Sequence, residues 1–158
     1  MHELLLKIQK GKILIADGAM GTMLMERGLE AGKAPETINL ERPELLEEIA
    51  KLYIEAGADI VQANTFGASP LKLAKSGLEN CVKEINEAAV KAARKAAGDR
   101  AFVSASVGPS GTILQPYGDA EPQKVYESFC VQMEVLAASG VDAICVETMT
   151  DLAEALLA

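Results

Sequence analysis

The 158-residue sequence has no tryptophan, one histidine, three cysteines and only 4% aromatic residues. The lone histidine, His2, sits in the N-terminal segment and reads as a surface residue, so no Ser/His/Asp triad can be assembled. The cysteines, Cys81, Cys130 and Cys145, are odd in number and widely spaced, which excludes a disulfide framework and a CxxC metal pair. They read as core packing, and a reducing cytoplasm is the expected home. Positive charge is also short: Lys and Arg total 15 against 23 for Asp and Glu, a net charge of −8. A nucleic-acid or anionic-membrane partner needs a basic patch, and none is present. No apolar run approaches the roughly 20 residues of a membrane span. The opening "MHELLLKIQKGK" is too short in its apolar part, and lacks the small-residue cleavage site, to be a signal peptide.

What is present is a strong alternation of two kinds of segment. Hydrophobic residues make up 49%, enough for one domain over residues 1–158 with a real core. Four runs rich in Val, Ile and Ala read as strands: 12–17, 59–65, 101–107 and 142–148. Helices are expected at 43–56, with Leu45, Leu46, Ile49, Leu52, Tyr53 and Ala56 on one face, at 79–97, at 122–139 and from about residue 150. Two helix-to-strand passages repeat weakly, "EAGADIV" and "ASGVDAI". One βα unit takes roughly 40 residues, which means a parallel sheet with crossover helices. An open doubly wound sheet and part of an eight-fold barrel both fit.

In either architecture ligands meet the C-terminal ends of the strands. Those ends read Asp17-Gly18-Ala19, Asn64-Thr65, "SVGPSG" and Glu147-Thr148, all polar. "DGAMG" is not a dinucleotide fingerprint, because its glycines are three apart; as a turn, it would use Asp17 as a helix cap. "GPSG" could be a turn and nothing more. Glu147 directly follows the apolar "AICV", so it should be half-buried and in need of a partner. Two carboxylates, a neutral amide, hydroxyls and exposed backbone N–H groups suit a small zwitterion, with its ammonium on Asp17 or Glu147 and its carboxylate on N–H groups.

The stretches "ILIADGAMGTMLMERG", "PETINLERPELLEEIAKLYIEAGADIVQANTFGAS", "SVGPSG" and "GVDAICVETMTDL" together resemble the homocysteine S-methyltransferase domain family, in particular the N-terminal homocysteine-binding domain of cobalamin-dependent methionine synthases. The resemblance implies a TIM (βα)8 barrel, of which this chain covers about the first four βα units, a half barrel. It implies a methyltransferase that activates homocysteine as a zinc-bound thiolate, with methylcobalamin as the methyl donor and a corrinoid-binding domain or protein as a partner. By the same resemblance, Asp17, Gly18, Ala19 and Glu147 hold the amino-acid end of homocysteine, and Asn64 and Thr65 line the floor. The family's zinc ligands are three cysteines near later strands. Cys81, Cys130 and Cys145 do not match those positions, so no metal role is assigned to them. An isolated half barrel would expose two sheet edges and an apolar lumen, favouring self-association. The alternatives are a non-catalytic half-barrel module for binding or assembly, and an unrelated open α/β enzyme, such as an aldolase-like or phosphate-binding protein.

Overall fold

The computed structural model describes residues 3–158; His2 lies outside them. Its centre is a parallel sheet of β1 (Ile60–Ala63), β2 (Phe102–Val107) and β3 (Ala143–Val146), in that spatial order. Ile60 stands beside Phe102, and Val107 beside Val146. Parallel neighbours cannot be joined by a hairpin, so each pair is bridged by helix. α5 (Pro70–Ala74) and α6 (Val82–Ala97) connect β1 to β2; α7 (Pro122–Ala138) connects β2 to β3. α4 (Pro43–Glu55) precedes the sheet and α8 (Leu152–Leu157) follows it. Both α4 and α7 open on a proline in the first turn, where its missing N–H costs nothing.

Side chains alternate faces along a strand, and the register aligns them between strands. Val61, Ala63, Val103, Ala105 and Val107 share one face and form a single core with Ala50, Ile54, Ala89, Val90, Ala93, Val125, Phe129 and Leu136 of α4, α6 and α7. Gln62, Ser104 and Ser106 share the opposite face with Cys145 and Glu147. That face was expected to be an apolar lumen. It is polar toward the C-terminal ends of the strands, where the alternate positions carry Gln62, Ser104, Ser106 and Glu147, and apolar only at its start, with Ile60 and Phe102.

The predicted strand at 12–17 is not a regular strand. It touches β1 through one isolated bridge, Ala16 to Ile60. The Ile15 N–H donates to the Asp59 Oδ2 at 3.0 Å instead of to a ladder carbonyl, and Ile13 and Ile15 are 88% and 59% exposed. An apolar run thus lies at an open edge, where no layer packs over it. The buried stripe of α4 is also turned from the expected one: Leu46, Ile49, Ala50 and Ile54 are buried, whereas Leu52 and Ala56 are exposed. The stripe follows the direction in which α4 lies against α6 and β1 together. Four short helices escape the sequence pattern, α1 (Glu3–Gln9), α2 (Met20–Glu26), α3 (Ile38–Glu41) and α5.

The weak repeat has a structural counterpart. Gly57 and Gly140 end α4 and α7 at φ +106° and +76°, a conformation glycine adopts without strain. The aspartate two residues later then takes a backbone N–H of the neighbouring strand segment. Asp59 Oδ2 accepts from Ile15, and Asp142 Oδ2 accepts from Val103 at 2.7 Å. Asp142 also pairs with Arg94 at 2.9 Å.

Candidate functional site

At the C-terminal mouth of the sheet opens a cavity of 870 Å³. Asp17, Gly18, Ala19, Asn64, Thr65 and Glu147, the six residues singled out from the sequence, all line it. They arrive from three separate segments because parallel strands end on the same side.

Asp17 is held by one oxygen only. Its Oδ2 accepts the Gln62 N–H at 2.9 Å, while its Oδ1 is buried with no partner among the described residues. Burial pushes its pKa from 3.8 up to about 6; the backbone N–H groups of Gln62 and Asp17 pull it back, and the charge of Glu147 adds to the rise. It does not cap α2, whose N-cap is Ala19. Gly18 is required by a close neighbour: a Cβ there would stand 2.9 Å from the Tyr53 Oη. The Tyr53 hydroxyl donates to the Ala19 carbonyl at 3.0 Å and so fixes the turn.

Glu147 continues β3, its N–H donating to the Val107 carbonyl at 3.0 Å. Its Oε1 accepts the Ser106 hydroxyl from the neighbouring strand. The next residue, Thr148, has φ +60°, a costly conformation for a β-branched side chain, of order 1–3 kcal/mol. Strain of that kind turns the chain away just after the carboxylate has been placed.

Asn64 and Thr65 occupy the turn after β1 and spend their donors on the protein. The Asn64 Nδ2 donates to the Pro35 carbonyl at 2.9 Å and to the Asn39 Oδ1 at 2.7 Å. The Thr65 hydroxyl donates to the Ser106 carbonyl at 2.8 Å. What they present to the cavity is the surface of a fastened turn. "GPSG" is not part of the cavity lining. Its Ser110 is buried and gives its N–H and hydroxyl to Glu154 Oε1 at 2.8 and 2.5 Å.

Several lining residues carry no sequence signal. Glu36 is buried, and its Oε1 accepts the Gly67 N–H at 2.6 Å. Lys33, Lys72 and Lys75 stand around the same cavity. Lys33 is paired with Glu41 at 2.8 Å, and Lys75 donates to the Gly111 carbonyl. Gln62 and Ser106 could have been read from alternation, since polar residues recur every second position on one face of otherwise apolar strands.

No zinc site is built from these residues. Among the described residues no group of three or more His, Cys, Asp or Glu could hold a metal ion. Cys81, Cys130 and Cys145 are free thiols. Burial, then the charge of Glu147, pushes the Cys145 thiol up, away from the thiolate a metal needs. No helix among them is long and apolar enough to cross a membrane.

Comparison with known proteins gives this geometry a context. A family model described as homocysteine S-methyltransferase matches residues 14–158. Methionine synthases of Mycobacterium leprae and Mycobacterium tuberculosis are each 33% identical over 94% of the chain. The chain spans 13% of the length of either. The homocysteine methyltransferase MmuM of Escherichia coli, in its metallated form, superposes with a TM-score of 0.81 at 28% identity, over 98% of this chain and 60% of MmuM. Its oxidized form gives 0.77 over 91% of this chain.

Proposed function

Since the chain belongs to the homocysteine S-methyltransferase family, we propose that its cavity binds the amino-acid end of homocysteine for S-methyl transfer in methionine synthesis. The observation that carries this reading is the pair of carboxylates that line the cavity. Asp17 is left with a buried, unpartnered oxygen, and Glu147 is positioned by Ser106 alongside it. A buried unpaired carboxylate oxygen is costly, and an incoming ammonium group would remove that cost. Gly18 and Ala19 then form the backbone edge beside the amino acid, and Asn64 and Thr65 the floor.

On this reading the chain is the first half of a barrel. The strand order follows the chain order, without the reversal that defines a doubly wound sheet. The apolar face carries the helices and the polar face lines the ligand side, as in a barrel wall. The chain's own contribution to the reaction is to bind and orient the substrate. Zinc, which would supply thiol activation, does not fit the described residues; the resemblance puts its cysteine ligands near later strands of the family's barrel. Methylcobalamin as donor, with a corrinoid-carrying partner, rests on the sequence resemblance to cobalamin-dependent methionine synthases; a cytoplasmic location rests on the three free cysteines.

Calorimetric titration tests this directly, with L-homocysteine and inorganic phosphate as competing probes. Homocysteine should bind, phosphate should not, and Glu147→Gln should weaken homocysteine about thirtyfold or more without altering the fold, because it removes one member of a partly buried charge pair. Binding of phosphate alone would sink the reading.

A further inference from the structure

The turn after β1 is fastened more heavily than its length requires. Four of its carbonyls accept a hydrogen bond from another element. Asn39 Nδ2 reaches the Asn64 carbonyl at 2.8 Å, Gln132 Nε2 the Thr65 carbonyl at 2.7 Å and Asn86 Nδ2 the Ala68 carbonyl at 3.0 Å. The Gly108 N–H donates to the Phe66 carbonyl at 2.9 Å. The three carboxamides come from α3, α6 and α7, and all are 0% exposed. On α7, Gln132 lies in the same buried stripe as Val125, Phe129 and Leu136, where an apolar side chain would pack without desolvation cost. Asn86 and Gln132 also touch each other, Nε2 to Oδ1 at 3.4 Å.

We propose that Asn39, Asn86 and Gln132 are positioning residues, which hold the 64–68 turn so that it forms a fixed wall of the ligand cavity. The proposal rests on the reading of that cavity as the homocysteine site. None of the three lines the cavity; they act through Asn64, Thr65 and Ala68. Gln132 keeps its Oε1 buried and without a partner among the described residues, so what its carboxamide supplies is the donor to the Thr65 carbonyl, a directional bond that selects one backbone arrangement where an apolar contact would tolerate several. A turn that is rigid before the ligand arrives costs less order on binding.

The test compares Gln132→Met with Phe129→Leu, a change one turn earlier on the same helix that loosens the core without removing a hydrogen bond to the turn. Two readouts are taken: homocysteine affinity by calorimetry, and native-state hydrogen exchange at the Gly67 and Gly108 amides. Gln132→Met should bind homocysteine about tenfold more weakly and speed exchange at both amides. Phe129→Leu, at an equal shift of the denaturation midpoint, should leave both near the wild-type values. Wild-type affinity and unchanged exchange in Gln132→Met overturn the proposal, as does an equal response in Phe129→Leu. If Gln132→Met does not fold, Asn39→Ala takes its place in the same comparison. If the wild-type chain itself takes no homocysteine, the site reading fails and the exchange comparison alone decides the positioning role.

Discussion

The two flanks of the cavity are built in opposite ways. On the β1 side, Asn64, Thr65, Gly67 and Ala68 are all buried, and the turn they form is held by donors and acceptors from α3, α6, α7 and the 35–37 helical turn. On the β3 side, Glu147 leans on one serine, Thr148 is strained, and the outer face is open. Val146 is 41% exposed and Leu152, at the start of α8, 76%. The proposed ligand carboxylates sit on the lightly held elements, the 15–17 edge and the end of β3, while the stiff wall carries neutral groups. A charged ligand that bridges Asp17 and Glu147 would therefore stiffen the part of the molecule that packing leaves loose.

The largest effect belongs to the packed side. Phe129 fills the space between α7 and the sheet and is 1% exposed. Phe129→Ala should cost about 3–5 kcal/mol in urea unfolding, the range for removing a buried aromatic. A loss below about 1 kcal/mol would mean that the core beside β2 collapses freely and the contrast between the flanks is overstated.

A smaller but cleaner contrast lies within one row of the sheet. Val107 and Val146 are register partners on the same face of adjacent strands. Val107 is 0% exposed; Val146 has no such cover. Val107→Ala should cost about 2 kcal/mol, the transfer term for two buried carbon groups with a little cavity. Val146→Ala should cost a few tenths, roughly 0.5 kcal/mol at most. Equal losses would show that β3 is as well covered in solution as β2.

Much of this architecture was legible from the residues. Apolar runs rich in Val, Ile and Ala located β1, β2 and β3, and proline at one end with glycine at the other located α4 and α7. The strand mouths pointed to one cavity because parallel strands share an end. The failures have distinct physical causes. The 12–17 run is apolar, and composition cannot tell an edge segment from a covered strand. α2, α3 and α5 are four to seven residues long, too short for helical periodicity to register. Glu36 meets Gly67 across 31 positions and Gln132 meets Thr65 across 67, pairings set by tertiary packing that no local pattern encodes. The repeated Asp59 and Asp142 were visible as a repeat, but their work, taking an N–H from the neighbouring strand, is visible only in three dimensions.

The loosely held flank is tested through its charge. The Asp17 carboxyl has a folded pKa near 6 against 3.8 unperturbed, so the folded state prefers it protonated. Between those values the native chain binds more protons than the unfolded one, and stability falls as pH rises until it levels off above about pH 6. Asp17→Asn should remove that slope and be the more stable protein at neutral pH without ligand. Binding should run the other way. The homocysteine ammonium stays charged throughout and needs the ionised carboxylate, so wild-type affinity should drop about tenfold from about pH 7.5 to about pH 5, or ~1.4 kcal/mol. The Asn variant should bind weakly and with a flat profile. A flat wild-type profile would move the ammonium contact from Asp17 to Glu147 alone, and the unpartnered oxygen would then be an unmet cost of folding.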